Sequence, residues 1–241
     1  MKKTLLIAAA ALAASVISSQ AQVYSQNIVG YINSAVPANY TLQAVQLNLS
    51  GGNSLTNVIQ NPGGIYDGSG VFLWNGTGYT QYTIDSGFPS GVGDAADAAG
   101  VPAPTLAPGT AFLFNNQGVS NNITYVGTVP VDSLPGTTTN TVPGNKVLTL
   151  VASVLPVGGG ISTSLGFTNA AGSLDGNYVF VPKFAGGVQT GFNQYTFDSG
   201  FASGFGDAAD AAQVPEPQIP VGGGFFYGNQ DGITRTWIQS L

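Results

Sequence analysis

The 241-residue sequence has no cysteine and no histidine, and its only methionine is Met1. Without cysteine no disulfide can staple the chain, so stability must come from packing, backbone hydrogen bonds, or bound metal or partners. Without histidine it lacks the commonest general base and the commonest transition-metal ligand. Charge is scarce as well: Asp, Glu, Lys and Arg together make up 7% of the chain. Beyond Lys2 and Lys3 the only bases are Lys146, Lys183 and Arg235, against 11 acids. Nucleic-acid binding needs clustered cations to displace counterions from phosphates, and three scattered ones do not supply that. These absences point away from catalysis and from polyanionic partners. What remains is an uncharged, hydrogen-bonding surface suited to sugars, to other polar polymers, or to copies of the chain itself.

Long apolar runs are also missing, with one exception at the start. Lys2 and Lys3 precede an apolar stretch from Leu5 to Ile17, and Ser19-Gln20-Ala21 places small residues where a signal peptidase reads. The segment reads as a signal peptide over residues 1–21, cleaved after Ala21. A membrane anchor needs about 20 apolar residues, and this run is shorter and ends in polar residues. The expectation is an exported protein, extracellular, at the cell surface or in the periplasm, with no membrane insertion of the mature chain. Loss of Lys2 and Lys3 leaves it three bases against 11 acids.

The strongest positive signal is an internal repeat. Tyr82-Thr-Ile-Asp-Ser-Gly-Phe-Pro-Ser-Gly-Val-Gly-Asp-Ala-Ala-Asp-Ala98 recurs from Tyr195 to Ala211 with three substitutions. Downstream, Gly109 to Phe114 answers Gly222 to Tyr227 at the same spacing. Upstream, Asp67-Gly-Ser-Gly-Val-Phe72 answers Asp175-Gly-Asn-Tyr-Val-Phe180 across an insertion in the second copy, and Val36-Pro-Ala-Asn39 answers Val142-Pro-Gly-Asn145. The organisation expected is a first β unit over 22–130 with an extra N-terminal strand, a polar linker over 131–141, and a second β unit over 142–241.

Each copy reads as short strands. Thr41 to Leu49 and Val147 to Leu155 are alternating or continuous apolar runs, and Val71 to Trp74 leads into Asn75-Gly76, a hairpin signal. Ala111 to Phe114, Ile123 to Val126, Gly224 to Tyr227 and Thr234 to Ile238 follow at short, turn-punctuated intervals. The fold class predicted is all-β: two tandem homologous β-sandwich or barrel-like units with little helix. Only residues 94–99 and 207–212, both Asp-Ala-Ala-Asp-Ala-Ala, have helical composition, and flanking Gly and Pro limit them to a turn or two.

The Phe72-Leu-Trp-Asn-Gly-Thr-Gly-Tyr79 hairpin, Leu106-Ala-Pro-Gly-Thr-Ala-Phe-Leu-Phe114 and Thr124-Tyr-Val-Gly127 together resemble a repeat in secreted, mostly uncharacterised proteins of Verrucomicrobia and related bacteria. Gln26 to Asn33 is similar to the segment with which their mature chains often begin. The resemblance spans nearly all of the mature chain and implies export and an all-β fold, while lending no activity. The second copy departs from it, with Pro182 where the first has Trp74.

Six of the 11 acids, Asp85, Asp94, Asp97, Asp198, Asp207 and Asp210, fall in the two copies of one Gly-rich loop. Carboxylates among Ser hydroxyls and Gly carbonyls on a bendable backbone are hard oxygen donors of the kind Ca²⁺ takes. The alternative assigns Asp85 and Asp198 to Asx-turns and Asp94 and Asp207 to caps. Asp85 with Asp94 or Asp97 is also the one carboxylate pair that glycosidic hydrolysis could use, though duplication fits a structural or metal role better than a single cleft. Two non-catalytic functions remain. In the first, the chain is a structural subunit of an extracellular layer, matrix or filament that self-associates, with residues 23–33 able to add to a neighbour's sheet edge or to pair locally. In the second it binds polysaccharide by stacking sugars on Trp74, Tyr79, Tyr82, Phe192 and Tyr195, unless those rings are core.

Overall fold

The computed structural model describes residues 28–132, 136–144 and 148–241. The signal-peptide reading and residues 23–27 lie outside the described residues. Within them the chain is nearly all antiparallel β, and no helix is long and apolar enough to cross a membrane.

The first repeat forms β1 (Val29–Val36), β2 (Asn39–Ala44), β3 (Asn48–Leu49), β4 (Gly70–Trp74), β5 (Tyr79–Ile84), β6 (Val92–Gly93), β7 (Ala111–Asn116) and β8 (Asn121–Thr128). The second forms β9 (Thr137–Val142), β10 (Leu148–Ala152), β11 (Gly159–Gly160), β12 (Tyr178–Ala185), β13 (Val188–Phe197), β14 (Phe205–Gly206), β15 (Gln218–Ile219), β16 (Gly224–Gly228) and β17 (Arg235–Ser240). Strand formation follows side-chain alternation. In β8, Ile123 and Tyr125 are buried while Val126 between Tyr125 and Gly127 is exposed, the period of two that a half-buried sheet imposes.

Two five-stranded sheets carry the architecture. Their orders are β2-β7-β4-β5-β6 and β10-β16-β12-β13-β14, so they correspond strand for strand. Smaller sheets, β1-β8-β3 and β17-β9, flank them. In the first repeat one buried cluster draws Ile32, Val36, Ile123 and Tyr125 from the small sheet and Val71, Ile84, Phe112 and Phe114 from the large one. The second repeat has its own cluster, with Phe167, Phe197, Phe225, Tyr227 and Trp237 in contact. Among the described residues no sheet closes on itself, so the barrel alternative drops out.

Three expectations need correction. Residues 137–141 of the expected linker belong to β9, which pairs with β17 from Thr137↔Ser240 to Val142↔Arg235. A threonine-rich run is polar enough to resemble a linker, yet its β-branched residues suit a strand with one solvated face. The extra N-terminal strand is therefore not extra: β1 pairs with β8, and β9, which pairs with β17, is its counterpart in the second repeat. The Asp-Ala-Ala-Asp stretches form no helix; they are turns and bends, because Asp97 and Asp210 both adopt φ 56°, in the left-handed region that breaks a helix. The one α-helix of the described residues, α1 (Leu55–Val58), buries Leu55 and Val58.

The repeats meet along sheet edges. Ala44, Ala111 and Ala152 form a small buried cluster, and a Cβ at Gly224 would stand 2.8 Å from that of Ala111. Small residues let the two sheets approach. The Ala44 N–H donates to the Gly222 carbonyl at 2.7 Å, and the Gly222 N–H donates to Gln46 Oε1 at 2.7 Å. The Leu42 N–H donates to Gln189 Oε1 at 2.9 Å. Gln189 sits on the β12–β13 hairpin, where the sequence insertion of the second repeat falls, and that extra length carries it to β2.

Ala111→Leu should overpack this junction and cost about 1–3 kcal/mol. Gln189→Ala should cost about 1–2 kcal/mol by stripping the Leu42 N–H of its partner. Both are read from urea midpoints at unchanged m-value.

Candidate functional site

The repeated acidic loop is built by local hydrogen bonds. The Gly87 N–H donates to Asp85 Oδ1 at 2.6 Å and the Gly200 N–H to Asp198 Oδ1 at 2.7 Å, the Asx-turns expected of these positions. Asp94 Oδ1 accepts the Ala98 N–H at 2.8 Å, and Asp207 Oδ1 accepts the N–H groups of Ala209 and Ala211 at 3.2 and 2.9 Å. They close a loop rather than cap a helix: Ala99 returns its carbonyl to the Asp94 N–H at 2.9 Å, and Gly93 bridges to Gly100.

Two further acids, missed in the sequence, hold each loop in place. Asp67 accepts from Asn61 Nδ2 at 2.7 Å, from the Ser86 N–H at 2.9 Å and from Ser86 Oγ at 2.7 Å. Asp175 makes the same set with Asn169 and Ser199, at 2.6, 2.7 and 2.7 Å. The signal was available, since Asn61 and Asp67 recur as Asn169 and Asp175 at equal spacing. Hydrogen bonds from Ser86, then Asn61, hold the Asp67 carboxyl below the usual range despite some desolvation. For Asp175, desolvation pushes upward, but the bonds from Asn169 and Ser199 outweigh it and the net shift is down. Asp97 moves the other way, raised by desolvation and then by repulsion from Asp85, Asp94 and Asp67. Asp210 is raised by the equivalent causes, desolvation followed by Asp198, Asp207 and Asp175.

The six acids of the calcium reading thus lie in two separate loops, one in each repeat, in which Asp85, Asp94, Asp198 and Asp207 accept backbone N–H groups. Among the described residues no three acidic or other metal-ligating side chains are grouped to hold an ion.

The five aromatics proposed for sugar stacking divide. Tyr82 and Tyr195 pack against the first and second cores. Trp74 lies edge-on to Tyr79 at 5.1 Å and to Phe226 of the second repeat at 6.0 Å. Phe192 packs on Phe226 at 5.4 Å, and Tyr79 touches Phe72, which touches Tyr40. Only Tyr79 and Phe192 of the five are exposed. Edge-to-face contacts spend ring faces on one another, so no flat row of free rings results.

A different surface is open. On the outward face of β1 and β8, Tyr31 stands opposite Val126, with Val29 two residues along. These side chains are 68%, 52% and 72% exposed, and β1 is the outermost strand of its sheet. Neither strand carries a charged residue. No protein-family model, curated protein or solved structure matches this chain.

Loss of charge at Asp97 relieves repulsion, and Asn is at ease at positive φ. Asp97→Asn should therefore raise the melting temperature at pH 7 by about 1–2 °C, the scale of an exposed charge pair. A raised pKa penalises the fold above the folded value, so the gain should fade as pH falls through the raised Asp97 pKa towards the ordinary carboxylate range. Asp67→Asn should lower the melting temperature at pH 7, and this loss also fades as pH drops through the depressed Asp67 pKa, when the wild-type carboxyl is protonated too. Both come from thermal melts between pH 2.5 and 7, roughly the range in which carboxyls titrate. Turns satisfied by backbone donors should show no change in melting temperature with millimolar Ca²⁺; a clear rise would assign the carboxylates to the cation instead.

Proposed function

We propose that the protein is a non-catalytic, exported structural subunit that acts by self-association through the β1–β8 sheet. The observation that carries this reading is the uncharged outer face formed by Val29, Tyr31 and Val126 beside the edge strand β1. Edge strands in proteins that stay monomeric are commonly blunted by Lys, Pro, a bulge or a covering loop. β1, Val-Gly-Tyr-Ile-Asn-Ser-Ala-Val, has neither Lys nor Pro and pairs with β8 without a register shift. An apolar patch next to such an edge combines a hydrophobic contact with backbone hydrogen bonds that a second copy can extend.

The scarcity of charge supports the same reading. Few like charges oppose close approach of copies, and the polar face of Asn33, Thr124 and Asn122 beside the patch offers further hydrogen bonds. Strand donation in place of local pairing is not required, because β1 already completes its own sheet and presents only its outer edge.

Light scattering on a sizing column, applied to the chain from Gln22 onward, tests this. Ordered assemblies are expected, and Tyr31→Lys together with Val126→Lys should return them to monomer at unchanged melting temperature within about 2 °C. A wild-type monomer at all concentrations would reject self-association.

A further inference from the structure

The strands β1 and β9 are counterparts, and the alignment of Val36 with Val142 sets Tyr31 against Thr137 and Asn33 against Thr139. In an antiparallel ladder alternate residues turn their backbone N–H and C=O away from the neighbouring strand. The Val129 N–H donates to the Ile28 carbonyl at 2.7 Å, and the Leu241 N–H donates to the Gly136 carbonyl at 3.1 Å. Even-numbered residues of β1 and β9 therefore bond β8 and β17, and odd-numbered ones face outward.

The outward groups of β9 are closed off. The Thr137 carbonyl accepts the Asp132 N–H at 2.8 Å, and the Thr139 N–H donates to Asp132 Oδ2 at 3.0 Å. A carboxylate held on a strand edge fills those bonds and repels a second copy of itself, a known way to stop edge-to-edge pairing. β1 carries no such block. Its Ala35 carbonyl is taken by Gln43 Nε2 at 3.2 Å, but among the described residues nothing bonds the outward groups of Val29, Tyr31 and Asn33.

Three successive outward positions on an uncharged strand define how another copy fits. An antiparallel partner presents the same three in reverse order, so Tyr31 meets Tyr31 of the second copy and Val29 meets its Asn33. Each of these pairs then exchanges both N–H···O=C bonds. Sliding the register one way sets Val29 against Ala35, whose carbonyl is already used. Sliding it the other way carries Asn33 past the start of β1. The symmetric register also brings Tyr31 and Val126 of both copies onto one continuous sheet face.

We infer that β1 pairs with β1 of a second copy, antiparallel about a twofold axis at Tyr31, and that the assembly closes as a dimer. The pairing rests on the self-association proposed above and adds its partner strand, register and symmetry. Closure follows because a twofold interface uses the same edge of both copies, which leaves that edge taken, while Asp132 blocks its counterpart on β9.

The chain has no cysteine, so single introduced cysteines report the register. Residues opposed in a hydrogen-bonded antiparallel pair have Cα atoms about 5.5 Å apart, within the span of a disulfide. In the symmetric register Asn33 stands opposite Val29 but is displaced from Asn33 of the second copy by four residues, about 14 Å along the strand. Val29→Cys and Asn33→Cys chains, each from Gln22 onward, are expected to cross-link when mixed under mild oxidation and not when either is oxidised alone. Light scattering on the wild-type chain is expected to give the mass of two chains. A monomer would overturn both this pairing and self-association itself. Assemblies larger than a dimer, a dimer whose mixed variants do not cross-link, or Asn33→Cys that cross-links to itself as readily as to Val29→Cys would overturn the β1 pairing and leave self-association standing.

Discussion

A strand at the edge of a sheet turns every second N–H and C=O away from its neighbours, and in β2 those groups are taken up by the other repeat. Gly222 and Gln189 accept the Ala44 and Leu42 N–H groups, and Gln46 answers with its own side chain. Buried backbone groups must be paired somewhere, so this edge could not be covered by the repeat without a partner. The small Ala44, Ala111 and Ala152 side chains permit the approach that makes the bonds short. Each half keeps its own apolar core, yet the junction gives each a reason to have the other beside it.

Duplication also explains the asymmetry. Two copies of one unit facing each other across a pseudo-twofold relation would present matched edges and matched grooves. The inserted length of the β12–β13 hairpin breaks that match, carrying Gln189 to the Leu42 N–H of β2. The Ser34–Gln43 hydrogen bond has no counterpart between Asn140 and Thr149 at the matching positions, where Asn140 bonds the Ala152 carbonyl instead. Departures between copies are thus more informative than their agreement, since a fold that tolerates both versions is not what demanded the change.

Much of this was legible in the sequence. The alternation of Ile123, Tyr125 and Gly127 against Thr124 and Val126 is enough to identify β8 and its buried face, and the Asx-turns at Asp85 and Asp198 follow from Asp two residues before a Gly. Other features were hidden for physical reasons. The Thr-rich β9 looks like a linker because hydropathy does not see β-branching, and its partner β17 lies about 100 residues away in sequence, beyond any local signal. The Asp-Ala-Ala-Asp segment has helical composition, but the left-handed Asp97 is set by loop closure from Ala99 to Asp94. Trp74 and Tyr82 look alike as ring platforms in sequence, although strand position sends Tyr82 to the first core and Trp74 to the junction with Phe226. Pairing between repeats, such as Leu42 with Gln189, leaves no trace in composition or period.

Differential scanning calorimetry of the chain from Gln22 onward tests most directly whether the junction binds the two repeats into one energetic body. The expected result is a single transition whose calorimetric and van't Hoff enthalpies agree, because unfolding either repeat strips the other's edge of its partners. Two separable transitions, or a van't Hoff enthalpy near half the calorimetric one, would mean that the repeats unfold independently and would contradict the account.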